Sequence, residues 1–236
     1  MDVVRLKRTL RPLRPVLGPV WNLFRRSTGQ AARPPSWPSP PRAGRRSAQA
    51  GDEVLIYPMT REQFVALRAD DPYYADREQY MAAAARTAGH LISRHQLVSA
   101  LELGPYRQPI VTGSDVIELR PPSGLRGARR LIVHDATSVP WPFNDRTYDL
   151  FVALQVFEHL DGHQRAVFKE VCRIARHAVI SVPIDWEMRD PTNCHHMISR
   201  ETALSWFAPR VPTRILQGNP APKSRLIFVF ENLGKR

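Results

Sequence analysis

Tyr148-Asp-Leu-Phe-Val-Ala-Leu-Gln-Val-Phe-Glu-His-Leu160 is the stretch whose reading decides the fold. From Leu150 to Val156 it is almost unbroken apolar sequence, rich in aromatic and β-branched residues. Such a run suits a strand buried on both faces, as in a parallel sheet with helices on each side. The polar residues Gln155, Glu158 and His159 gather at its C-terminal end. In open parallel sheets that end borders the crevice where ligands bind. The stretch therefore predicts a central strand with a site at its carboxyl edge. A plainer reading, a core strand that simply runs into an exposed loop, stays open at this point.

Outward from it, strands and helices alternate. Ser99–Leu103, Asp115–Leu119, Leu131–His134 and Ala178–Pro183 read as further strands. Helices are expected at three places: from Asp76, where Tyr80, Ala83, Ala84, Thr87 and Leu91 recur at helical spacing; from a cap at Asp161 to about Arg176; and from Ser199 through Phe207. Thr60-x-x-Gln63 has the spacing of a capping box, and the short helix it opens should stop before Asp71-Pro72. Arg214–Gln217 and Leu226–Phe230 read as a closing antiparallel pair. The expected fold class is α/β, a Rossmann-like doubly wound and mostly parallel sheet with that strand pair at its C-terminal end. Only about ten residues separate Gly104 from the strand at Asp115, fewer than the dozen or more of an ordinary parallel crossover. The early crossovers should therefore be abbreviated.

The chain's 236 residues suffice for one full core with a tail besides. The net charge of +12 is misleading in bulk. Residues 1–50 hold 11 Lys and Arg against one acid, Asp2, leaving 23 basic and 21 acidic side chains for the remaining 186 residues. A nearly neutral body argues against a nucleic-acid substrate, because phosphate-backbone binding needs a basic face. Residues 1–51 read as a basic, Pro- and Arg-rich tail and linker, and 52–236 as the folded domain. Met1–Phe24 mixes Val3, Leu6, Leu10, Leu13, Trp21 and Phe24 with five basic residues. Weak peripheral contact with an anionic membrane is one expectation for it, an Arg-rich, acid-poor targeting peptide a second, and a disordered basic tail a third, since Pro12, Pro15 and Pro19 oppose a long helix. Two cysteines make no disulfide framework, and no run approaches the ~18 apolar residues of a spanning helix. A cytoplasmic setting is expected, membrane-peripheral if the tail binds lipid.

The histidines invite a metal reading, which the linear spacing opposes. In Glu158-His159-Leu-Asp-Gly-His163 the glutamate precedes the first histidine instead of lying between two histidines one helical turn apart. No metal is expected on that ground. Cys194 stands in a loop beside His195 and His196.

Leu101-Glu-Leu-Gly-Pro-Tyr106, His134-Asp-Ala136, Pro140-Trp-Pro-Phe143 with Tyr148-Asp-Leu150, Gln155-Val-Phe-Glu-His159 and Ile180-Ser-Val-Pro183 together resemble class I S-adenosylmethionine-dependent methyltransferases of the type 11 kind. The resemblance spans roughly Ser99 to Phe230. It implies S-adenosyl-L-methionine as cofactor and a small-molecule or glycan acceptor methylated on oxygen or nitrogen. By the same resemblance Gly104 lets the backbone approach the cofactor's amino-acid end, and Glu102 helps order that turn. Glu118 serves the ribose hydroxyls, with Asp115 as its rival. Asp135 accepts from the adenine amino group with Ala136 nearby, and Gln155 lines the pocket beside the sulfonium. His159, His195 and His196 are the candidate bases for an acceptor proton. The chain departs from the family in keeping Gly104 alone of the usual run of glycines. That departure and the short crossover support an alternative, a non-catalytic scaffold of the same fold tethered through its basic tail.

Overall fold

The computed structural model describes residues 36–38, 55–220 and 223–234. The tail reading of residues 1–24 therefore lies outside the described residues.

Thr60 caps the first helix, α1 (Arg61–Asp70), with the full capping box: Gln63 N–H donates to the Thr60 hydroxyl, and the Thr60 N–H to the Gln63 side chain. A single 3-10 turn, Pro72–Tyr74, then leads into α2 (Glu78–His95). The alanine run of α2 suits a helix lying flat on a sheet, and the helix stops where Gln96 turns left-handed at φ 51°. A two-stranded ribbon pairs β1 (Tyr57–Pro58) with β3 (Val111–Thr112).

Among the described residues the main sheet has seven strands: β2 (Ala100–Leu103), β4 (Asp115–Glu118), β5 (Arg130–Val133), β6 (Tyr148–Leu154), β7 (Ala175–Pro183), β8 (Arg214–Asn219) and β9 (Arg225–Phe230). Their order across the sheet is β5-β4-β2-β6-β7-β9-β8. The first five are parallel, and β9 lies antiparallel between β7 and β8. The fold is thus the expected Rossmann-like sheet, with the strand pair at its C-terminal end and β6 at its centre.

Alternation along the strands sorts the core into two faces. Leu101, Phe151, Ala153, Ile180, Phe228 and Phe230 pack under α3 (Gln164–Ile174) and α4 (Arg200–Phe207). Ala100, Leu150, Val152, Val179, Ile227 and Val229 pack under α1 and α2. Three layers result, and β6 is apolar from Leu150 to Leu154 because both of its faces are covered.

The crossovers from β2 to β4 and from β4 to β5 contain no helix among the described residues, yet in each case the strands are parallel neighbours. Two boundaries differ from the sequence reading. Asp161 does not cap α3: Asp161 (φ 45°) and Gly162 (φ 87°) form a left-handed turn, and the helix starts past them, at Gln164. Its far end comes early, and β7 begins at Ala175. Within the stretch read as linker, Ser36–Pro38 lies on the domain. The Trp37 ring is 5.1 Å from that of Phe64, and its Nε1 donates to Glu78.

Candidate active site

Parallel strands bring their carboxyl ends to one edge, so the residues that follow them are gathered by topology alone. Gly104 follows β2 with φ +66°, and a Cβ placed there would lie 2.9 Å from Val156 Cγ2. Both the dihedral and the close approach require glycine. Two residues on, the Tyr106 N–H donates to Glu118 Oε1 at 2.8 Å, so the acid at the tip of β4 holds the turn after β2. Burial pushes the Glu118 carboxyl up to about 7.

Glu102 is turned to the loop beyond that turn. Its carboxylate accepts from Ile110 N–H at 2.8 and 3.0 Å and from Val111 N–H at 3.3 Å. Burial raises it to about 8, against the pull of those donors. Asp115 lies at the opposite end of β4 from Glu118, fully buried. It accepts from Arg129 (2.8 and 2.8 Å), Arg130 (2.7 Å) and the Tyr148 hydroxyl (2.8 Å). Burial pushes Asp115 up, but these bonds outweigh it and hold the carboxyl below its usual range. A residue tied in this way at the amino end of its strand is remote from the strand tips. Asp135 accepts from the Thr137 N–H (2.9 Å) and hydroxyl (2.8 Å), bonds that lower its pKa, and the Ala136 carbonyl accepts from Trp141 Nε1.

At the end of β6, Gln155 adopts φ 59°. Its Nε2 donates to Ser181 Oγ and its Oε1 accepts from Arg225 Nε, each at 3.0 Å. Arg225 is only 3% exposed. Its guanidinium rests on two aromatic rings, 4.5 Å from the centroid of Tyr80 and 4.6 Å from that of Trp186. Glu158 is equally buried, and among the described residues neither of its carboxylate oxygens has a hydrogen-bond partner. Desolvation pushes it up to about 8. His195 Nε2 is 3.7 Å from Glu158 Oε1, and burial, with His159 beside it, holds His195 down to about 4. The rings of His159 and His195 meet edge to face at 4.8 Å. His196 is apart from them in role, its Nδ1 accepting from the Met188 N–H at 3.1 Å.

Sequence reasoning missed two members of this edge. Arg225 opens β9, one residue ahead of the strand read at Leu226–Phe230. Tyr73 precedes a helix, yet its ring lies 5.0 Å from that of Tyr106. Tyr73, Tyr74, Tyr80, Met81 and Leu154 close around Gly104 and leave a cavity of about 20 Å³, room for a single water. A larger hollow of about 330 Å³ lies at the C-terminal end of antiparallel β9, among Pro209, Arg210, Phe230 and Leu233, away from the strand tips.

No protein-family profile matches the sequence, and no curated protein is similar to it. Solved structures resemble the fold. The N-methyltransferase NodS of Bradyrhizobium japonicum, in complex with S-adenosyl-L-homocysteine, aligns at a TM-score of 0.48 and 16% identity, over 72% of this chain and 97% of its own. An S-adenosylmethionine-dependent methyltransferase of Aquifex aeolicus gives 0.48 and 12%, over 71% and 96%. The N-terminal domain of EvdMO1 with bound S-adenosylhomocysteine gives 0.44 and 14%, over 63% and 80%.

Proposed function

We propose that this chain is an S-adenosylmethionine-dependent methyltransferase acting on oxygen or nitrogen of a small-molecule or glycan acceptor. The observation that carries the reading is the order of the strand tips. Asp135 past β5, Glu118 ending β4, Gly104 after β2 and Gln155 after β6 stand on four successive neighbours of one sheet edge.

The residues fit the adenosyl end of the cofactor. Glu118 Oε2 accepts no hydrogen bond among the described residues and is available to ribose hydroxyls, while Leu119 and Val133, both more than half exposed, offer apolar surface beside the tips. The amino-acid end is closed by the turn carrying Tyr73, and admission requires that ring to swing aside. S-adenosylmethionine supplies, when bound, an electrophilic methyl on a sulfonium. The chain's own part is to align the acceptor with that methyl, and to take up a proton where the acceptor is a hydroxyl. His159, His195 and His196 are the candidates for that proton, and burial, which holds His195 down to about 4, weakens it as a base.

One observation favours the non-catalytic reading, the closed space beside Gly104. Incubating the full-length protein with methyl-labelled donor and a panel of glycans, phenols and amines decides between them. Label on an acceptor that disappears in Glu118→Ala supports transfer, and no label on any acceptor supports the scaffold.

A further inference from the structure

The loop after β7 brings a thiol against the histidine that follows β6. Cys194 Sγ lies 3.2 Å from His159 Nδ1 and 3.6 Å from His195 Nδ1, and one potential ligand atom from each of the three residues lies within 4.8 Å of the others. In a tetrahedral zinc site, bonds of about 2.3 Å to sulfur and about 2.0–2.1 Å to nitrogen place the sulfur and each nitrogen about 3.5 Å apart. Both measured separations sit around that value. Glu158 supplies an independent observation. It is 4% exposed, its oxygens are without hydrogen-bond partners among the described residues, and Oε1 faces the far nitrogen of His195 at 3.7 Å. A ligating histidine ordinarily donates its other ring N–H to such a carboxylate.

From this geometry we infer that His159, Cys194 and His195 form a binding site for one zinc ion, with Glu158 as the acceptor that orients His195. The two histidine nitrogens move closer together on loading. The His195 Nδ1, now 2.9 Å from Asn193 Oδ1, gives up that contact, and its proton passes to Nε2 on the Glu158 side. The Cys194 thiol loses its proton to solvent as sulfur binds the metal. Thiolate and imidazole together select zinc over the hard cations that prefer oxygen. The linear pattern pointed away from a metal because it paired His159 with His163; folding pairs it with a loop 35 residues away instead. The site stands whether or not the domain transfers methyl groups. If both hold, zinc takes the lone pairs of His159 and His195, and His196 remains as the candidate base.

The test uses full-length protein made without a histidine tag, equilibrated with zinc sulfate, dialysed, and assayed for metal. Cys194 is exposed, so Cys194→Ser leaves the core intact, and thermal melting confirms folding. A second cluster, His95, His177 and Glu231, makes His95→Ala the control. The expected result is one zinc per chain in the wild type and in His95→Ala, with affinity at least about tenfold weaker in Cys194→Ser and His159→Ala. Cobalt in place of zinc should give a sulfur-to-metal charge-transfer band that Cys194→Ser lacks. Wild type without zinc, or any other pattern across the variants, overturns the site.

Discussion

The ring of Tyr73 lies 5.0 Å from that of Tyr106, so the turn ahead of α2 closes over the turn that follows β2. The cluster is continued by Tyr74, whose ring meets that of Tyr73 edge to face at 5.2 Å, and by Arg77, whose guanidinium carbon is 3.7 Å from the Tyr73 ring centroid. Tyr73 is 43% exposed, so its removal opens the edge at small cost to the core. Tyr73→Ala should bind S-adenosylhomocysteine up to about tenfold more tightly than wild type, because less of the binding energy is spent on opening. Calorimetric titration of the two proteins measures this, and equal or weaker binding by the variant argues against a closing role for the ring.

Gly104→Ala combines two penalties. The left-handed dihedral costs a side chain about 1–2 kcal/mol, and the new Cβ meets Val156 Cγ2 at 2.9 Å. Urea unfolding should show a loss of roughly 2–4 kcal/mol. Adding Val156→Ala should recover the steric part, with a favourable coupling of about 0.5–2 kcal/mol. Strict additivity of the two substitutions would mean that the contact is not felt.

Asp115 anchors Arg129, Arg130 and Tyr148 from a fully buried position. Asp115→Ala strands the buried Tyr148 hydroxyl, while Arg129 and Arg130 are about half exposed to water, and should cost about 1–3 kcal/mol. Because the folded-state pKa of Asp115 is lowered, its stabilisation is complete at neutral pH and is lost as pH falls through the acid range. Asp115→Asn should therefore be less stable than wild type at pH 7 and lose less stability between pH 5 and pH 3. Parallel stability curves for the two proteins over that range would refute the assignment.

Glu102 behaves in the opposite sense. Its folded-state pKa is raised to about 8, so the folded protein holds a proton that the unfolded chain releases from about 4.5 upward. Its contribution is full at acid pH and declines as pH rises towards 8, with a limiting slope of about 1.4 kcal/mol per pH unit. Glu102→Gln should flatten the decline in stability between pH 6 and pH 8 relative to wild type. An unchanged slope would show that the carboxyl is already ionised against the Ile110 and Val111 N–H groups.

The central strand was legible because burial on both faces leaves a simple signature, the apolar run Leu150–Val156. The abbreviated crossover was legible by counting from Gly104 to Asp115, and Ser199 and Thr60 announced their helices by cap chemistry. The start of α3 was not legible, since Asp161 beside Gly162 resembles a cap until its left-handed dihedral is known. Residues brought together from distant segments left no linear trace. Trp37 reaches Glu78 from within a proline-rich stretch, and Arg225 reaches Gln155 across 70 positions. Local pattern reports which face is buried; it does not report which loops meet at the edge of the sheet.

Titrating S-adenosylhomocysteine into the full-length protein by calorimetry, alongside Glu118→Ala, tests the cofactor crevice most directly. One equivalent should bind to the wild type, and roughly tenfold or more of the affinity should be lost in the variant, which gives up a charge-assisted hydrogen bond of about 1.5–3 kcal/mol. Absence of heat and of any thermal shift in the wild type would contradict a cofactor site at these strand tips.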